Sequence, residues 1–129
     1  MTTALTYRYD IRPSAADMAT LGAKWTDAEL DSVFRHSLTH VCAYLGDELV
    51  GYANVAWDGG VHAFLLDPTV HPAHRHNGFG TQIVHEIIHH LTGRGFDWLH
   101  VDYRPELDAF YRGCGFQPTL AGIVNLRAD

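Results

Sequence analysis

Arg75, Gly78 and Gly80 stand in the spacing Arg-x-x-Gly-x-Gly, within the run Val70-His71-Pro72-Ala73-His74-Arg75-His76-Asn77-Gly78-Phe79-Gly80-Thr81. A segment of this kind, closing a strand and opening a helix, suits a ligand that carries phosphates. Glycine at positions 78 and 80 lets the main chain turn tightly and come close to a ligand, so that successive N–H groups converge on a diphosphate at the positive end of the helix. Arg75 adds a planar charged fork. A second constellation, His85-Glu86-Ile87-Ile88-His89, reads literally as His-Glu-x-x-His. On a helix that spacing puts two imidazoles on one face beside a glutamate able to activate a zinc-bound water. Several features weigh against a zinc hydrolase. Ten histidines make one such match unsurprising, Thr92 stands where the extended motif requires glycine, and no third histidine follows at its spacing. Glu106 is a distant candidate ligand, and 129 residues leave little room for a two-lobed protease cleft. His85, Glu86, His89 and His90 are read instead as the polar side of a helix.

The elements that must position the Arg75 loop can be followed along the chain. Tyr7 to Arg12 alternates and stops at Pro13, as a first strand does. Ser14 caps a short helix through Leu21, and Thr26 with Glu29 forms a capping box ahead of Leu30, Val33, Phe34 and Leu38. Val41 to Leu45, Leu49 to Trp57 and Ala63 to Val70 are strands joined by the turns Gly46-Asp47-Glu48 and Asp58-Gly59-Gly60, an antiparallel meander. Ile83, Val84, Ile87, Ile88 and Leu91 repeat every 3.6 residues, which predicts a helix over Thr81 to Arg94. Trp98 to Val101 is a further strand. Leu107, Phe110, Tyr111 and Cys114 share one face of a short last helix, and Phe116 to Leu126 returns as one or two strands. The predicted order is β-α-α-β-β-β-α-β-α-β.

Composition narrows the function classes. With 129 residues and 47% hydrophobic content, the chain is read as a single domain over 1–129 with one cleft. A net charge of -6 with Lys24 as the single lysine argues against a nucleic-acid platform, which needs clustered positive charge. It suits a cationic substrate. No apolar stretch is long enough to span a bilayer and the start of the chain has no signal-peptide pattern, so no membrane role and a cytoplasmic location are expected. Cys42 and Cys114 have no metal-type spacing.

The loop resembles the acyl-CoA loop of the GNAT N-acetyltransferase family, which reads Arg/Gln-x-x-Gly-x-Gly/Ala. Phe110-Tyr111-Arg112-Gly113-Cys114-Gly115-Phe116 is similar to that family's Phe-Tyr-x-x-x-Gly-Phe segment, about thirty residues downstream as in the family. The element order fits the family over nearly the whole chain. The resemblance implies an α/β fold with a mixed, mainly antiparallel sheet, splayed between strands 4 and 5 and flanked by about four helices. It implies acetyl-CoA as co-substrate and direct acetyl transfer to a primary amine of a small molecule or peptide, with no metal. The cofactor would be held by Val70, Arg75, His76, Asn77, Gly78, Phe79, Gly80 and Thr81, with Arg112 reaching the 3′-phosphate. Tyr111 matches the family's proton donor to the leaving thiolate, a role open to a phenol at neutral pH. Its helical spacing also suits plain core packing.

Asp67 is the nearest match for the general base, with Asp102 and His71 as competitors. Two positions depart from the family. Pro68 lacks an N–H on the cofactor strand, and Asp102-Tyr103-Arg104-Pro105-Glu106 stands where the family often has asparagine. The resemblance places the acceptor among Leu21 to Phe34, the Asp58-Gly59-Gly60 turn and the chain end, with Trp25 and Trp57 as either cleft walls or core. It leaves a homodimer open, since GNAT proteins are often dimers. A non-catalytic acyl-CoA-binding or partner-binding module is the alternative from another class.

Overall fold

The computed structural model describes residues 4–127. Five strands, β1 (Thr6–Tyr9), β2 (Thr39–Leu45), β3 (Glu48–Trp57), β4 (His62–Val70) and β5 (Trp98–His100), lie side by side in chain order. The first four are antiparallel and β5 joins β4 in parallel. Four α-helices flank them among the described residues: α1 (Ala15–Thr20), α2 (Asp27–His36), α3 (Phe79–Leu91) and α4 (Asp108–Gly113). The mixed fold is the one expected.

Local chemistry accounts for the element ends. Ser14 Oγ accepts from the Asp17 N–H at 3.0 Å, and the Thr26–Glu29 capping box closes in both directions at 3.1 Å. β1 stops at Tyr9, before the expected Arg12, because Asp10 turns left-handed (φ 60°). Its Oδ1 accepts from Thr39 Oγ1 at 2.8 Å and the His40 N–H at 3.1 Å. α3 begins two residues earlier than its periodicity suggested and ends at Leu91, where Gly93 takes φ 78°.

β3 is buried along most of its length because it is covered on both faces. On one face Ile83, Val84 and Ile87 of α3 pack with Val41, Val50, Ala53 and Val55. On the other, Met18, Leu21 and Leu30 of the first two helices pack with Cys42 and Tyr52. α3 lies so close to the sheet that a Cβ at Gly51 would collide with Ile83 Cδ1. Trp25 joins the second cluster and Trp57 meets Phe96 edge-on at 5.7 Å, so both serve packing.

The expected strand or strands over Phe116 to Leu126 are not formed. Residues 117–127 are irregular and exposed throughout. A strand cannot complete its own hydrogen bonds, and apolar alternation produces one only where a neighbouring edge is available to pair.

Candidate active site

β4 and β5 touch only from His62↔Trp98 to Phe64↔His100, after which β4 runs on to Val70 while β5 ends. The two strands part there, and beyond the end of their pairing a cavity of about 550 Å³ lies between the end of β4 and α4. Four elements wall it: the end of β4 (Pro68, Thr69, Val70), the following loop (His74, Arg75, His76, Gly78), the first turn of α3 (Phe79, Gly80, Thr81, Ile83), and the α4 side (Leu107, Phe110, Tyr111). The splay expected between the fourth and fifth strands is therefore present.

The loop end of the cavity is a cluster of main-chain donors. His76 (φ 67°) and Gly78 (φ 79°) are both left-handed and turn the chain into α3. The Gln82 N–H makes the helix's first internal bond, to Gly78 O at 3.1 Å, so the N–H groups of Phe79, Gly80 and Thr81 lie ahead of the ladder. No side chain caps them. Unpaired amides at a helix start, next to the positive end of its dipole, form an anion cradle. Arg75 stands beside it, its Nε–H donating to Val70 O at 3.2 Å. That bond also fixes the direction of the strand edge. The His71 N–H donates to Val50 O at 2.8 Å, so by strand alternation the polar groups of Val70 face away from β3 and into the splay.

Two contacts that the sequence did not reveal hold this loop. His74 Nε2 lies 3.2 Å from Glu48 Oε1, and the Ala73 N–H donates to His71 Nδ1 at 3.0 Å. In a neutral His71 ring the other nitrogen then carries the proton, which leaves His71 no free lone pair for general-base work. Gly80 sits where a Cβ would lie 3.3 Å from the Phe110 ring and 3.7 Å from Val70 Cγ2. Gly80→Ala should therefore push Phe110 into the cavity and, if the acetyl-CoA expected from the sequence binds there, weaken that binding about tenfold by overpacking, read by calorimetric titration with the fold intact.

The α4 wall is aromatic. Tyr111 is buried, stacked on Tyr103 at 4.6 Å and met edge-on by Phe110 at 4.9 Å and Phe116 at 5.7 Å. Tyr103 is fixed in turn by its hydroxyl donating to Asp108 Oδ1 at 2.9 Å. Burial above all raises the Tyr111 phenol above its ordinary pKa, with Cys114, Asp102 and Tyr103 adding to the push. It stays protonated throughout the physiological range. Nothing in the sequence pairs Tyr103 with Tyr111, because their contact depends on how the 3₁₀ turn Pro105–Leu107 leads into α4.

Asp67 lies in a β-bulge. The register moves from Tyr52↔Thr69 to Asn54↔Leu66, so Asp67 and Pro68 together face Ala53, and Asp67 takes φ 53°. Left-handed backbone at a residue other than glycine costs energy and re-aims the side chain. The Asp67 carboxylate is exposed, just outside the cavity lining, and with burial as the larger cause it raises the Tyr52 phenol. The carboxylate whose field reaches Tyr111 is that of Asp102. Pro68 itself lines the cavity, so its missing N–H removes a donor from that wall. Asn77 is exposed outside the lining. Arg112 is not brought into the cavity; its Nε–H donates to Asp108 Oδ2 at 2.7 Å. In the His-Glu-x-x-His stretch, His85 and His89 are exposed, the Glu86 carboxylate accepts from the Tyr9 hydroxyl, and the neighbouring His90 stacks on Tyr9 at 4.0 Å.

Comparison with known proteins places this architecture. The acetyltransferase (GNAT) family matches residues 7–116. The uncharacterized N-acetyltransferase ycf52 of Porphyra purpurea is 31% identical over 78 residues, covering 60% of this chain and 45% of that protein. The chain thus spans less than half the length of that curated relative. Among solved structures, a GNAT-family acetyltransferase of Streptococcus pneumoniae superimposes with a TM-score of 0.78 at 22% identity, covering 98% of this chain and all of the other. An acetyltransferase of Bacillus subtilis, solved in complex with CoA, gives a TM-score of 0.74 at 19% identity, covering 88% of this chain and 77% of its own.

Proposed function

Because the chain belongs to the acetyltransferase (GNAT) family, we propose that it transfers an acetyl group from acetyl-CoA directly to a primary amine of a small molecule or peptide. Both substrates are bound together, and neither a metal nor a covalent enzyme intermediate takes part. The observation that carries this reading is the pairing of two unlike walls in one cavity. The α3 side offers the free amides of Phe79, Gly80 and Thr81 beside Arg75, and the α4 side is walled by Phe110 and Tyr111. A ligand that joins a diphosphate to a flexible thioester arm matches that pairing. His76, Asn77 and Gly78 shape the diphosphate grip. Arg112, tied to Asp108 outside the cavity, is the candidate for the 3′-phosphate.

The chemistry follows from the residues around the splay. The lone pair of a neutral amine attacks the thioester carbon, and the oxygen that gains charge accepts a hydrogen bond from the Val70 N–H. As the carbon–sulfur bond breaks, Tyr111 gives its proton to the leaving thiolate. The amine's surplus proton passes to Asp67, directly or through water, and Asp102 is the competing acceptor. An acidic surface, with net charge -6, favours cationic acceptors.

No helix among the described residues is long and apolar enough to cross a membrane. Two buried free cysteines suit a reducing compartment, and the cytoplasm is the location this reading assigns.

The test is a thiol-release assay with acetyl-CoA across polyamines, aminoglycosides, amino sugars, amino acids and peptides. Release of coenzyme A that requires one amine class is the expected outcome. Tight acetyl-CoA binding with no release for any class would instead support a non-catalytic acyl-CoA-binding module.

A further inference from the structure

The wall of the cavity carries a charge that depends on pH. Among the described residues that line it, Arg75 is the single permanently charged side chain and none is a carboxylate. Two imidazoles, His74 and His76, stand on either side of Arg75 in the same lining. The whole chain has net charge -6 with its histidines neutral, yet no aspartate or glutamate occurs between Asp67 and Glu86. A diphosphate esterified at both ends keeps one negative charge on each phosphorus at every pH near neutrality. Arg75 alone leaves one of them unmatched.

We propose that His74 and His76 take up protons as acetyl-CoA binds, so that their charging completes the diphosphate grip and cofactor capture strengthens as pH falls. The inference rests on the acetyl-CoA reading of this cavity and adds a proton to it. His74 shows how the switch works at one ring. Its Nε2 lies 3.2 Å from Glu48 Oε1, and a neutral ring that donates there keeps a lone pair on Nδ1. That lone pair offers phosphate oxygen nothing. A second proton turns Nδ1 into a donor while the bond to Glu48 stays, and the ring becomes a cation without moving.

The groups that face these rings are few. Glu48, the first residue of β3, is the carboxylate that meets His74, and the His71 and Phe79 rings lie 5.4 Å and 6.2 Å from it. His71 is set apart from the switch, because its Nδ1 already accepts from the Ala73 N–H at 3.0 Å and a proton there would break that turn. His76 is exposed at φ 67°, with Arg75 as its charged neighbour in the chain. Linkage fixes the sign. An anion beside an imidazole favours the charged ring, so the bound protein holds more protons than the free one wherever imidazole titrates, and affinity rises as pH falls through that range.

Calorimetric titration of the full chain with 3′-dephospho-coenzyme A tests it, since this probe keeps the diphosphate and lacks the 3′-phosphate, whose own titration near pH 6 would overlap. At pH 7, heats measured in buffers of low and high ionisation enthalpy should show about one proton taken up per ligand bound, and affinity should be about tenfold higher at pH 6 than at pH 8.5. His74→Gln and His76→Gln should each reduce the uptake, and the double variant should abolish it and bind with an affinity that no longer follows pH. Glutamine at position 74 can still donate to Glu48, so the loop keeps its tether. His89→Gln, an exposed change in the last turn of α3, should leave the uptake as in the wild type. Binding without proton uptake, or uptake that persists in the double variant, would overturn the proposal and leave the acetyl-CoA reading standing. Absence of binding at every pH would overturn both.

Discussion

Arg75→Glu should weaken acetyl-CoA binding about 100-fold, equivalent to about 2.7 kcal/mol, in a calorimetric titration. Two effects combine. The mutant removes the charged fork that stands beside the free amides of Phe79, Gly80 and Thr81, and it sets a carboxylate at the proposed diphosphate site. The loop should survive the change, because its shape rests on His76, Gly78, the His71–Ala73 bond and the His74–Glu48 contact. Within the protein the substitution breaks the exposed hydrogen bond from Arg75 Nε to Val70 O, which none of those supports needs. Arg112→Glu tests the proposed 3′-phosphate contact in the same assay; that side chain is already paired with Asp108 outside the cavity, and its reversal should cost less than that of Arg75. Unchanged affinity in Arg75→Glu would remove the diphosphate from this loop.

Tyr111→Phe should lower kcat about 100-fold or more with little change in acetyl-CoA affinity. The ring remains, so its contacts with Tyr103, Phe110 and Phe116 persist and the cavity keeps its wall. What disappears is the proton that Tyr111 is proposed to give the thiolate, which matters only as the carbon–sulfur bond breaks. The direction of the pKa shift gives a second check. Burial favours the neutral phenol and lifts its pKa above the ordinary 10.0, so an alkaline fall in wild-type kcat/KM that reports this proton should lie above pH 10. A matching pair locates the base: of Asp67→Asn and Asp102→Asn, the one that abolishes the acid-side dependence of kcat/KM holds the amine's proton. Full turnover by Tyr111→Phe would return the tyrosine to the core packing that its helical spacing also explains.

What the chain revealed by itself was local. The capping signals at Ser14 and Thr26, the 3.6-residue stripe of α3 and the glycines at 78 and 80 each act within a few residues, so spacing alone located α1, α2, α3 and the amide cradle. The family resemblance carried by Arg75, Gly78, Gly80 and the Phe110–Phe116 segment supplied the splay and the acetyl donor, which no periodicity encodes. Tertiary structure decided what depends on neighbours distant in sequence. It put Asp67 in a bulge opposite Ala53, stacked Tyr103 on Tyr111, gave His71 to Ala73 and kept Arg112 on Asp108. It also left residues 117–127 unpaired although their composition favours a strand. A helix carries its hydrogen-bond partners within itself and can be read along the chain; a strand borrows them from another edge, and sequence does not say which edge is free.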